Sequence, residues 1–174
     1  MTDAALQRLI DKDAIRDCLM RYARGVDRHD AETLRSAYWP DAEDDHILYV
    51  GDVEGFIAFS FDFTQAMPTQ HFLGQMLIEF ESDRIALAET YHIASHDMAT
   101  MTGRQTLVMK GRYLDRMEKR GAEWRIAHRT LTCDLFSVDP GTADWQAVFP
   151  DIRTRGTHIP NDPLYAILKA RRNG

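Results

Sequence analysis

HFLGQMLIEFE (residues 71–81), the pair SD (82–83) and RIALAETYHIASHDM (84–98) decide how the rest of this chain is read. Both long segments alternate or nearly alternate apolar and polar side chains, the period of a strand with one face toward a core. Ser82-Asp83 supplies turn chemistry between them. Two more segments of the same kind follow, Gln105–Lys119 and Glu123–Val138, joined through Thr102-Gly103 and Arg120-Gly121. Four consecutive strands with such short links predict an antiparallel meander.

A sheet of that length needs one face covered, and the cover lies upstream. From Asp13 to about Arg28, Ile15, Cys18, Leu19, Tyr22 and Val26 form a stripe at three- and four-residue steps, the mark of an amphipathic helix. Asp13 is placed to cap it, and Gly25 loosens its last turn. A short helix over Ala31–Tyr38 is expected to end before Pro40, followed by a turn and strand over Asp41–Val50 and a helix over Val53–Ala66 stopped by Pro68. Helices first, then a curved and mostly antiparallel sheet folded over them, predict an α+β, cone-shaped barrel with an interior cavity for a small ligand. We place this domain at residues 1–138. Residues 139–174 are broken by Pro140, Pro150, Pro160 and Pro163 yet keep Trp145, Phe149 and a helical stretch, Leu164–Lys169. Such a tail is expected to pack over the cavity mouth or on a neighbouring subunit. The sheet has two faces and the helices cover one, so a homo-oligomer is expected.

The 174 residues suffice for one domain with a real core. A formal charge of −6 argues against a nucleic-acid partner, which needs a concentrated basic surface. The basic residues Arg153, Arg155, Lys169, Arg171 and Arg172 read as a solvated tail. No apolar run approaches the ~20 residues that span a bilayer, and the start, Met1-Thr2-Asp3-Ala4-Ala5, lacks a secretion signal. A cytoplasmic protein without a membrane partner is the expectation. Cys18 and Cys133 lie in apolar-patterned segments and read as small core residues, with no second cysteine at ligand spacing.

His92 and His96 have the i, i+4 spacing of a helical metal pair, but in a strand four residues span ~13 Å, too far to share one ion. Asp44, Asp45 and His46 form an acidic cluster before a strand that could hold a cation but reads rather as a solvated turn or a helper of the cavity. No phosphate-cradling glycine loop, zinc signature or nucleophile elbow is present. Acid–base chemistry without a metal or cofactor is the catalytic option left. Its best candidates are Asp27, closing the long helix, and His71, opening the first meander strand. A carboxylate bonded to one imidazole nitrogen fixes the tautomer and raises the basicity of the other. The plainer readings are a helix-end turn residue and a strand-end surface histidine.

Tyr22-Ala23-Arg24-Gly25-Val26-Asp27, followed by Ala37-Tyr38-Trp39-Pro40-Asp41-Ala42, resembles the opening of SnoaL-like (NTF2-like) proteins. The likeness continues through Thr69-Gln70-His71 and Gly111-Arg112-Tyr113 into Glu123-Trp124-Arg125-Ile126, covering roughly Leu9 to Phe136. It is nearest to the branch of bile acid 7α-dehydratase and γ-hexachlorocyclohexane dehydrochlorinase and, more distantly, scytalone dehydratase. The resemblance implies an Asp27–His71 catalytic dyad, with Tyr22 and Arg129 as further catalytic residues, and a trimer, other relatives being dimers. Arg129 alternates with Ala127, Leu131 and Cys133 on what reads as the inward face. Its partner is left open between a pocket group and a structural ion pair, for instance with Asp27. Tyr22, on the apolar stripe, is equally open to a packing role. Five residues on a straight helix rotate ~140°, so Tyr22 and Asp27 converge only if the helix ends or bends near Gly25.

Two functions follow. One is a cofactor-independent lyase in which His71 removes a proton, Asp27 orients it, Tyr22 donates to a developing oxyanion or leaving group and Arg129 adds electrostatic support. Phe56, Phe59, Met76 and Tyr113 would line a site for a hydrophobic cyclic substrate. The other is a small-molecule-binding protein without catalysis, since fold does not fix function. A ketosteroid-isomerase-like or polyketide-cyclase-like isomerase shares the first proton transfer.

Overall fold

The computed structural model describes residues 3–101, 103–141, 145–149, 151 and 154–172. Thr102, Pro150 and Arg153 lie outside these, as do the side chains of Trp145 and Arg172. Helix α1 spans Asp3–Arg28, ten residues longer at its start than the apolar stripe indicates. The stripe marks where the helix is buried, not where it begins: Leu6, Leu9 and Ile10 are exposed, and Asp11 is the first buried position. Asp11 accepts from Lys119 Nζ (2.7 Å), Trp124 Nε1 (2.9 Å) and Gln7 Nε2 (3.2 Å), tying the helix across the sheet. Near the other end Gly25 lets the next helix lie against α1, because a Cβ there would come within 2.6 Å of the Leu34 backbone.

Helix α2 is short, Ala31–Arg35, capped by Asp30, whose carboxylate accepts from Thr33 N. The expected continuation to Tyr38 is corrected: Tyr38–Asp45 forms strand β1. Pro40 sits inside that strand, where the ladder to β6 is interrupted between Tyr38 and Glu43, so its missing N–H breaks no pairing there. Strand β2 is Val50–Asp52, and helix α3, Val53–Phe63, is capped by Asp52, which accepts from Gly55 N at 2.8 Å. Its last residue, Phe63, comes three before the expected Ala66, and the cap Thr64 turns its hydroxyl back to donate to the Ser60 carbonyl.

The meander is present as read: β3 Thr69–Phe80, β4 Ile85–Thr100, β5 Gly103–Arg120 and β6 Glu123–Pro140. The order is β2-β1-β6-β5-β4-β3, antiparallel except where β1 runs parallel to β6. The protein is thus α+β, helices on a curled, open, mixed sheet. Ala86, Ala88, Thr90, His92, Ala94 and His96 of β4 share the buried face, an unbroken run of one parity. Irregularities steer the curl. At the one between Lys110 and Gly111, a Cβ on Gly111 would meet the Thr132 carbonyl oxygen at 1.9 Å, so only glycine fits. Beyond it β6 outruns the helices, which corrects the reading of Cys133: it is exposed, whereas Cys18 is buried with its thiol toward the Ala37 carbonyl.

Residues 145–148 form a short helix α4 and Pro163–Arg172 form α5. The tail folds back onto the end of α1: Arg28 Nη1 donates to the Thr157 carbonyl and Asp162, and Tyr165 Oη donates to Asp30 Oδ2 at 2.8 Å. His158 stacks on His29 at 3.6 Å. Among the described residues the tail contributes nothing to the cavity wall. No helix is long and apolar enough to cross a membrane.

Candidate active site

The last turn of α1 and the first residues of β3 meet at the cavity because α1 crosses the sheet at its β3 edge. Asp27, nearly buried, accepts three hydrogen bonds there: from Thr69 Oγ1 (2.8 Å), from the His71 backbone N–H (2.9 Å) and from His71 Nδ1 (2.7 Å). Burial alone would raise its carboxyl pKa, but the bonds and charge of His71, with Thr69, outweigh it and hold the group below its ordinary value. An ionised carboxylate only accepts, so Nδ1 of His71 carries the proton and Nε2 is the nitrogen left to act as a base. The His71 ring forms part of the cavity wall.

That cavity, about 210 Å³, far exceeds the ~10–15 Å³ one water needs. Phe56, Phe59 and Phe63 wall it on the α3 side, and Leu107, Met109, Tyr113 and Leu131 on the sheet side. Three further histidines belong to the wall: His46, His92 and His96. Burial lowers the pKa of both His92 and His96 to about 4, so both are neutral at pH 7. His96 meets His71 edge-on at 5.7 Å, and His92 stacks on Tyr113 at 4.3 Å, with neither of its nitrogens hydrogen-bonded. Among the described residues no group of three or more His, Cys, Asp or Glu is arranged to hold a metal ion.

Of the anticipated lining residues, Phe56, Phe59 and Tyr113 are at the wall. Met76 is not: it packs on the hydrophobic core, on the far side of the β3 irregularity between Leu73 and Met76. Tyr22 is not at the wall either. It is fully buried one layer behind it, against Phe56 (6.3 Å), Tyr38 (6.0 Å) and Tyr113 (5.3 Å). Helix α1 stays helical past Gly25, so the ~140° between Tyr22 and Asp27 keeps them on separate faces. Arg129 shares this inner layer, its guanidinium 3.8 Å from the Tyr22 ring centre and 4.1 Å from that of Tyr113. Its partner is not Asp27 but Asp115, two residues beyond Tyr113 on β5, in a two-pronged bond of 2.7 and 2.8 Å. Both side chains are fully buried. Burial alone would weaken the guanidinium as a base, but the Asp115 carboxylate outweighs it and keeps Arg129 charged.

The histidines at the wall were within reach of the sequence. His92 and His96 share the parity of Ala86, Ala88 and Ala94, and small residues on one strand face mark the side that is crowded. His46, in the turn between β1 and β2, had a different signal: the adjacent carboxylates Asp44 and Asp45, a cluster that reads equally as a solvated turn.

A profile of the SnoaL-like domain matches residues 7–130. Among solved structures, a type 2 hexachlorocyclohexane dehydrochlorinase superposes with a TM-score of 0.72 at 22% identity, over 80% of this chain and 96% of that one. The type 3 dehydrochlorinase from Novosphingobium barchaimii gives 0.72 at 20% identity, over 80% and 97%. A scytalone dehydratase-like protein from Novosphingobium aromaticivorans gives 0.66 at 17%, over 80% and 99%. No curated protein matches the sequence. At these identities the neighbours speak for the fold, whereas the profile runs from α1 into β6 over well more than half of the chain: the protein belongs to the SnoaL-like family.

Proposed function

We propose that the protein is a cofactor-independent lyase that eliminates water, or another small leaving group, from a hydrophobic cyclic compound. The observation that carries this is the 2.7 Å bond between His71 Nδ1 and Asp27, with the His71 ring in the cavity wall. His71 Nε2 takes a proton from carbon beside an electron-withdrawing group, and Asp27 holds the ring and stabilises the imidazolium. Phe56, Phe59 and Tyr113 receive the substrate. Tyr113 is the tyrosine of the cavity wall among the described residues, and Tyr22 and Arg129 act from behind it as positioning residues. The dehydrochlorinase and dehydratase names of the structural neighbours agree with this reaction class.

The test is turnover of a panel of cyclic β-hydroxy ketones, aromatic and steroidal, followed by the absorbance of the conjugated product. Wild type is expected to form it and His71→Ala to lose it. Tight binding of panel members without turnover would instead establish a binding protein. A shift of the double bond without loss of water would establish an isomerase.

We also propose a homo-oligomer, a trimer rather than a dimer. Phe72, Tyr91, Ile93 and Leu135 leave apolar surface open on the sheet face away from the helices, which supports self-association. Sedimentation equilibrium gives the stoichiometry directly, and a monomer would refute it.

A further inference from the structure

A second carboxylate–imidazole pair faces the same cavity. Asp44, near the end of β1 and fully buried, lies in register with Arg129 of β6. Its Oδ1 accepts from His46 Nδ1 at 3.0 Å, and its Oδ2 accepts from the Tyr38 hydroxyl. Burial alone would raise the Asp44 carboxyl, but His46, Arg129 and Tyr38 together hold it below its ordinary value. As an ionised acceptor it keeps the His46 proton on Nδ1 and leaves Nε2 as the free nitrogen, the same tautomer as in His71. The His46 ring is part of the cavity wall, 4.7 Å from the Phe56 ring and 6.1 Å from that of Tyr113.

The backbone around His46 is built to hold it there. His46 N–H donates to the Tyr49 carbonyl at 2.7 Å. The next residue, Ile47, has φ +64°, a left-handed conformation that is strained for a β-branched residue and persists only where its surroundings enforce it. His46 comes from the β1–β2 edge of the sheet and His71 from the β3 edge, so the curl brings two oppositely derived imidazoles to one space. His92, between them on β4, feels the charge of both.

We propose that His46, oriented by Asp44, is the acid of this site, protonating the leaving group while His71 takes the carbon-bound proton. The inference rests on the lyase reading above. The step starts from the His46 imidazolium, with one proton on Nδ1 toward Asp44 and the other on Nε2. The C–H bond breaks toward His71 Nε2, its electron pair forms the C=C bond, and the C–O bond breaks as the oxygen receives the Nε2 proton of that imidazolium. Water departs, leaving His71 protonated and His46 neutral. Exchange of one proton each with solvent restores the starting state.

Two probes separate acid from base. Ring opening of 5-nitrobenzisoxazole needs only a base, because its phenolate oxygen leaves without a proton. Dehydration of 4-hydroxy-4-phenylbutan-2-one expels hydroxide and needs an acid as well. His46→Gln is expected to slow the hydroxy ketone by roughly 10²-fold or more while changing the benzisoxazole by less than ~3-fold, and His71→Gln to lose both. Equal effects of His46→Gln on the two probes, or none on either, overturn the acid role while leaving His71 as base. No effect of His71→Gln, or turnover of neither probe by wild type, overturns the lyase reading and the acid role with it. Histidine ¹⁵N NMR of the wild type, with His46→Gln assigning the resonance, gives a readout independent of turnover: a His46 proton on Nε2 in the neutral ring overturns the pairing.

Discussion

Asp27–His71 and Asp115–Arg129 each join a carboxylate to a nitrogen donor at short range across the fold, and they differ in what lies on their far side. The first keeps about a tenth of its carboxylate surface and one ring nitrogen toward an open cavity, whereas the second is sealed on all sides by Tyr22, Tyr38 and Tyr113. A proton on His71 has somewhere to go. A charge on Arg129 has nowhere to go, and it shapes the potential behind the wall and holds three aromatic rings in place. The pair we propose for the chemistry is the one left incompletely buried.

The sharpest way to break this contrast is to remove each cation in turn. His71→Gln is expected to lower turnover of the benzisoxazole probe by about 10²–10⁴-fold with unfolding stability changed by no more than about 1 kcal/mol, since a half-buried amide can keep a bond to Asp27. Arg129→Met is expected to do the reverse first, costing about 3–5 kcal/mol in urea unfolding because Asp115 is left as a buried, unpaired charge. Adding Asp115→Leu should return most of that loss. If Arg129→Met folds as stably as wild type, the inner pair is not what holds the layer together.

Acid sharpens the comparison further. His92 and His96 are pushed down to about 4 by burial, from an ordinary 6.5. Their unfolded rings take up protons below pH 6.5 while the folded ones do not, so their share of stability is intact above 6.5 and fades as pH falls toward 4. At pH 5 the loss is about 2 kcal/mol for each ring. Asp27, with its folded pKa lowered, contributes stability that fades only below its ordinary 3.8. Unfolding between pH 7 and 5 should therefore follow His92 and His96, together with His29, which burial also lowers to about 4, and not Asp27. His92→Phe is expected to make the profile shallower, and an unchanged slope would set that assignment aside.

The smallest expected effect concerns the tail. Tyr165→Phe removes its hydrogen bond to Asp30 and should cost about 1 kcal/mol, seen as faster hydrogen exchange in α5. Turnover should not change, because no tail residue reaches the wall among those described. A loss of activity would show that the tail helps hold the end of α1, and with it Asp27.

Much of this site was legible before any coordinates. Asp27 and His71 could be paired because a helix end and a strand start are fixed points of a helix-on-sheet fold, and the meander gave both. Tyr22 was harder, since its place on the apolar stripe is equally that of a core residue and of a donor. Its position behind Phe56 and Tyr113 depends on α1 remaining helical through Gly25. Met76 was named for its apolar side chain, but the β3 irregularity between Leu73 and Met76 shifts the alternation and puts it with the core. His46 was visible only within the Asp44-Asp45-His46 cluster, where a solvated turn and a helper of the cavity read alike, and its bond to Asp44 is what tells them apart.

What the sequence determined by itself is periodicity: the strands and their turns, the buried stripe of α1 and the caps at Asp30 and Asp52 follow from local sterics and from which side chains avoid water. What only the tertiary structure decided is pairing across distance. Asp115 rather than Asp27 holds Arg129, β1 joins β6 in parallel, and Asp44 aims His46 into the cavity that His71 enters from the other edge. Such choices turn on how far the sheet curls and how many layers fit between helix and strand, and these are sums over the whole packed chain that no short segment contains.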